Sequence, residues 1–169
     1  RPPHRIRASV QAESSSLLKV TFDVAGSEFV RWPGMASGTA LAESRVRRDE
    51  LWKETCFECF IAGRDSSYTE WNFAPTGDWA CYTFASYRTG MMSPSVNAPS
   101  VTRGDLPSQF EILFSPALGD VRARSALHLS LPAVIVEVGS AEPFYWALNH
   151  AGARPDFHLR ESFSLKLES

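Results

Sequence analysis

The chain has 169 residues, a formal net charge of -2, 44% hydrophobic residues and 21% charged ones. That length suits a single domain, spanning residues 1–169, with a core of useful size, and the composition is that of a folded protein. The charge balance offers no footprint for nucleic acid, and no run approaches the roughly 18 apolar residues of a membrane-spanning helix.

The first 12 residues alternate Ile6, Ala8, Val10 and Ala12 with Arg5, Arg7, Ser9 and Gln11, the period of a half-buried strand. A second strand over 17–24 puts Leu18, Val20, Phe22 and Val24 on one face, so a hairpin opens the domain. A short extended piece at 28–32 ends at Pro33-Gly34. Residues 35–50 read as a surface loop, with a helical turn around 40–47 and a solvated cluster of Arg45, Arg47 and Arg48.

Strands over 52–61 and 68–73 follow, joined by Gly63-Arg64-Asp65-Ser66-Ser67. In the first, Trp52, Cys56, Glu58 and Phe60 point one way and Phe57, Cys59 and Ile61 the other. In the second, Tyr68, Glu70 and Asn72 oppose Trp71 and Phe73, so the pair can present Trp52, Glu58, Glu70 and Asn72 on one face. A third strand over 79–85 sets Tyr82 and Phe84 against Trp79, Cys81 and Thr83. The stretch 86–108, rich in Gly, Pro, Ser and Asn and containing Met91 and Met92, reads as an ordered rim loop.

A strand over 109–115 and a turn or short helix over 116–124 come next. Two strands then flank Pro132, another covers 144–149, and Phe163, Leu165 and Leu167 close the chain. About ten short strands with regular turns and no long amphipathic helix predict an all-β antiparallel sandwich, immunoglobulin-like or jelly-roll-like.

Cys56, Cys59 and Cys81 are an odd number, against a closed disulfide framework. Thiols three residues apart on a strand face opposite sides, so the CxxC spacing predicts core cysteines and neither redox nor zinc chemistry. Free thiols favour a cytoplasmic location, and the periplasm is the alternative if a leader has been removed before Arg1.

No GxSxG, P-loop, dinucleotide fingerprint, HExxH or paired Cys/His pattern is present, and no enzyme is expected. Glycosidase work by Glu58 and Glu70 needs carboxyl groups about 5–5.5 Å or 6.5–9.5 Å apart, a distance the sequence does not supply. Carboxylates beside Trp and Asn suit hydrogen bonds to hydroxyl groups under an aromatic face. Trp71 and Trp146 read as core from their alternation with Phe73 and Phe144, and His128 reads as a surface residue. His150 and His158 flank a loop that can bring both towards one point.

The segments LWKETCFECFI, YTEWNFAPTGDW, YRTGM and YWALNHAGARPDFH resemble bacterial DOMON-like domains of the MurB-like branch, related to family 9 carbohydrate-binding modules, over residues 6–167. The resemblance implies a ligand-binding β-sandwich whose relatives bind sugars or haem. Sugar-binding relatives clamp a saccharide between two tryptophans; Trp52 and Glu58 are similar in spacing to one such tryptophan and its glutamate, and Trp146 stands for the second. Glu70 and Asn72 fall where those modules place a polar pair, with Glu70 in place of a basic residue. The expected ligand-binding set is therefore Trp52, Glu58, Glu70, Asn72, Trp146 and His150, in a non-catalytic module for a carbohydrate or similar small polyhydroxylated ligand. Two alternatives stand beside it. One is a haem-binding electron-transfer domain using Met91 or Met92 with His150 or His158; the other is a structural or partner-binding domain with a buried polar cluster.

Overall fold

Leu18, Val20, Phe22 and Val24 are fully buried while Lys19, Thr21 and Asp23 between them are not, and this period of two fixes the strand at the centre of the first sheet. The structure, a computed structural model, describes residues 5–34, 45–104, 108–116 and 125–168. Strand β1 (Arg5–Ala12) pairs with β2 (Leu18–Ala25), which pairs with β7 (Gln109–Phe114), which pairs with β6 (Ser100–Arg103), all antiparallel.

The second sheet runs β10 (Phe144–Trp146), β9 (Ala133–Ile135), β3 (Cys56–Ala62), β4 (Tyr68–Phe73) and β5 (Trp79–Phe84), again antiparallel. Strand β8 (Ala126–Ser130) shares an edge of β3 with β9 and carries β11 (Leu165–Glu168) outside it. The division between β8 and β9 falls at Pro132, which cannot donate to a ladder; its carbonyl accepts from the Glu58 N–H at 2.9 Å. The fold is thus an all-β sandwich of eleven antiparallel strands among the described residues.

The core between the sheets joins Phe22, Phe110 and Phe114 to Phe57, Trp71 and Phe73. Phe22 stacks on Phe57 at 4.6 Å between ring centroids, and Trp71 meets Phe114 at 5.1 Å. Aromatic pairs of this kind each add about 0.5–1.5 kcal/mol beyond the area they bury. Strands β3 and β4 are buried along their whole length, which a one-faced sheet does not require. Their outer face is covered by a second apolar cluster, in which Phe157 and Phe163 from the closing segment lie against Phe60 and Tyr68.

Several local expectations change. Trp52 lies in a 3-10 turn, Leu51–Lys53, and not on β3. Residues 27–29 form another such turn, and Val30 makes only an isolated bridge to Glu137. The rim loop contains strand β6, its exposed Ser100, Thr102 and Arg103 having hidden the pattern from a hydrophobicity reading. Two arginines of the expected solvated cluster are engaged. Arg47 donates to the carbonyls of Cys81 and Pro94 at 2.7 and 2.6 Å and covers Trp79, and Arg48 reaches Asp78 at 3.5 Å. Of the turns expected over 40–47 and 116–124, residues 40–44 and 117–124 lie outside the described residues, and residues 45–47 form no helical turn.

Candidate functional site

Register brings the chemistry of the outer face together. Glu58 is opposite Asn72, Phe60 opposite Glu70, and Glu70 in turn opposite Tyr82 on β5. Because β3, β4 and β5 pair without a bulge, all five side chains project from the same surface. Glu58, Glu70, Phe60, Tyr82 and Phe84 form the floor of a cavity of about 480 Å³. Tyr145, Pro155, Phe157 and His158 of the closing segment wall it, and Trp52, Arg88 and Met91 stand at its edge. The volume is within the usual range for small-molecule sites.

Both glutamates are almost wholly buried, Glu58 at 3% exposure and Glu70 at 6%. Burial, and next the charge of Glu70, push the Glu58 carboxyl well above the usual carboxylate range. Burial raises Glu70 too, but Asn72 and Arg88 pull the other way; Asn72 Nδ2 donates to Glu70 Oε1 at 2.7 Å. Of the two, Glu58 is the carboxyl held more strongly towards its protonated form. The Cys56 thiol, raised mainly by burial, lies 3.9 Å from Asn72 Oδ1.

The wall is built by a polar chain. The Arg88 backbone N–H donates to the Tyr68 hydroxyl at 3.1 Å, and that hydroxyl lies 2.7 Å from His158 Nδ1. His158 Nε2 faces Glu70 Oε2 at 3.7 Å. Burial, aided by the Arg88 charge, lowers the imidazole to about 4. Asp156 ties this wall to the rim, accepting from the Tyr87 hydroxyl at 2.6 Å, the Arg88 guanidinium at 2.9 Å and the His158 backbone N–H at 3.0 Å. Although burial alone raises Asp156, these bonds hold its carboxyl low. Arg88 has φ 51, a left-handed conformation costly for a side-chain-bearing residue, and it keeps the N–H aimed at Tyr68.

Of the expected set, Trp52, Glu58 and Glu70 line the cavity. Trp52 is there despite leaving the strand, because its 3-10 turn lays the indole edge-on to Tyr82 at 6.3 Å. Asn72 does not reach the cavity: at 0% exposure it lies beneath and orients Glu70. Trp146 packs against the core between the sheets and is not among the cavity-lining residues; its neighbour Tyr145 is. His150 is outside, stacked on Phe157 at 6.1 Å, and His158 occupies the wall instead.

Haem ligation does not fit these residues. Both nitrogens of His158 are committed, one to Tyr68 and one towards Glu70, and His150 lies outside the cavity. Met92 is 68% exposed and engaged through its backbone with Thr83, leaving Met91 at the rim.

Sequence reasoning missed Tyr82 although its signal was present, since alternation already placed it on the face that register makes continuous with Glu70. Nothing local marks Arg88 or Asp156, whose roles depend on chain segments far apart in sequence, and the sequence singles out His158 only as one of a loop pair with His150.

The sandwich has a counterpart among solved structures. A candidate carbohydrate-binding protein from Bacteroides uniformis superposes with a TM-score of 0.65, over 98% of this chain and 78% of that one, at 12% sequence identity. At that identity the likeness is one of fold. No family model matches the sequence. No curated protein sequence matches it either.

Proposed function

We propose that the cavity binds a carbohydrate or similar small polyhydroxylated ligand without catalysing a reaction on it, as a DOMON-like module related to family 9 carbohydrate-binding modules. The observation that carries this reading is the meeting of Glu58 and Glu70 with Trp52 and Tyr82 in one open cavity of about 480 Å³. A sugar presents hydroxyl groups at its edge and C–H groups on its faces. Carboxyl groups accept from the first and aromatic rings pack on the second. The fold shared with the candidate carbohydrate-binding protein supports the same reading.

Titration with a panel of mono- and disaccharides, read by tryptophan fluorescence and calorimetry, tests it. Saturable binding that weakens tenfold or more in Trp52→Ala is the expected outcome. Absence of any binding at millimolar sugar sinks the reading.

A further inference from the structure

The charges that line the cavity do not balance. Arg88 is held by Asp156 at 2.9 Å, so those two largely cancel. His158, lowered to about 4, is neutral at neutral pH. Tyr82 donates to Asp49 at 2.6 Å and so keeps its proton. What is left is Glu70, whose Oε1 already accepts from Asn72, and Glu58, whose carboxyl burial holds towards its protonated form, with no uncommitted cation among the lining residues. The Glu58 carboxyl has no hydrogen-bond or ion-pair partner among the described residues, although it is 3% exposed and lines the cavity. The Glu58 carboxyl opens onto the cavity, so an occupant can supply the partner that the protein does not.

We propose that the ligand carries a primary ammonium group, as an amino sugar does, and that this group sits between the carboxyl groups of Glu58 and Glu70. The inference rests on the sugar-binding reading and names the class of sugar. Glu58 and Glu70 are diagonal neighbours across the β3–β4 ladder, since Glu58 is opposite Asn72 and Glu70 is two residues away on the same face. Diagonal positions are about 7–8 Å apart along the backbone, a span two glutamate side chains close onto one small cation. An ammonium group brings three donors and a positive charge, whereas a hydroxyl brings one donor and none. Trp52 and Tyr82 line the same cavity and supply aromatic surface beside it.

The proton balance follows. Burial holds the Glu58 carboxyl towards its protonated form in the empty cavity, and a bound ammonium group favours the ionised form. Its O–H bond then breaks, the proton passes to the buffer, and the carboxylate pairs with the ammonium, with total charge conserved. Binding therefore releases up to one proton.

Calorimetry at pH 6.0, where the amines are fully protonated, tests this with glucosamine, galactosamine and mannosamine, each against its parent hexose and its N-acetyl derivative, and with cyclohexylamine as a ring amine without hydroxyl groups. Two buffers free of primary amines and differing in ionisation enthalpy report the proton. One amino sugar is expected to bind at least tenfold tighter than its parent and its N-acetyl form, with a buffer-dependent enthalpy. Glu58→Gln and Glu70→Gln, checked for folding by circular dichroism, are expected to abolish both the preference and the proton release. If parent hexoses bind through Trp52 as tightly as every amino sugar, the ammonium site is wrong and sugar binding stands. If cyclohexylamine matches the amino sugars, the ammonium site stands and sugar recognition is wrong. Binding of none of them overturns both.

Discussion

His158 and Glu70 face each other at 3.7 Å, and the hydrogen between them belongs to the histidine. The Tyr68 hydroxyl already accepts from the Arg88 N–H, so it turns its own proton to His158 Nδ1. A neutral imidazole that accepts at Nδ1 carries its hydrogen on Nε2, aimed at Glu70. Nitrogen chemical shifts in NMR should show this single tautomer down to about pH 4, the value to which burial lowers the ring. Because the folded ring binds its proton less readily than the unfolded one, stability is intact above about pH 6.5 and falls as pH drops towards 4. His158→Gln should flatten that part of the curve. An unchanged acid limb in urea unfolding would argue against the buried neutral ring.

Glu58 bends the curve the other way. Its folded pKa is raised, so the folded state holds the proton that the unfolded chain releases near pH 4.3. Its stability contribution is full below that pH and is lost as pH climbs towards the raised value. Relative to its effect at pH 4, Glu58→Gln should therefore gain thermal stability at pH 8. Melting temperatures from pH 4 to 9 decide the matter, and parallel curves for the two proteins contradict a buried, proton-holding Glu58.

Two tryptophans should separate binding from stability. Trp52 is 38% exposed on its turn, so Trp52→Ala should weaken ligand binding tenfold or more at a cost of about 1 kcal/mol or less in stability. Trp146, packed against the core, should show the reverse, with Trp146→Ala costing roughly 2 kcal/mol and leaving affinity within twofold. Denaturant melts and titrations on both variants check the pattern.

The hairpin between β3 and β4 depends on a missing side chain. A Cβ at Gly63 would lie 2.1 Å from Ser67 Oγ and 2.8 Å from the Ser67 carbonyl, which the Gly63 N–H binds at 2.8 Å. Arg160 clamps the same turn, donating to the carbonyls of Ser67 and Gly63 at 3.0 Å each. Gly63→Ala should cost about 1–3 kcal/mol through overpacking. Arg160→Ala should speed hydrogen exchange in residues 147–163 while β1 and β2 keep their protection.

The thiols should be silent in the folded protein. Cys56 and Cys59 belong to opposite faces of β3, and burial raises both, with Cys81 pushed up to about 12. A disulfide-exchange reagent should label none of the three at pH 8 until denaturant is added, since the thiolate is the reactive form. Rapid labelling under native conditions would contradict the burial.

The strands were legible in the sequence wherever one face met solvent or where apolar and polar residues alternated, as in β2 and β4. The shared face of Glu58, Glu70 and Asn72 could be read because a period of two survives even in strands buried on both sides. Depth was not legible: Asn72 and Glu70 have the same parity, yet only one reaches the cavity, because Asn72 is shorter and turns to its neighbour. The histidine choice failed for a related reason. His150 and His158 border the same loop, and only the docking of Phe157 and Phe163 onto Phe60 decides which ring turns inward.

The cavity takes its floor from β3, β4 and β5 and its wall from residues 145–158, with a large part of the first sheet's partners made in between. During synthesis the floor emerges long before its cover, so a growing chain carries an uncovered aromatic surface with two carboxyl groups until residues 145–158 dock. The binding site is complete only once residues 145–158 are in place. Once occupied, the site holds the late segment against the early strands, so a ligand acts as a clasp that protects the C-terminal quarter from proteases by mass action.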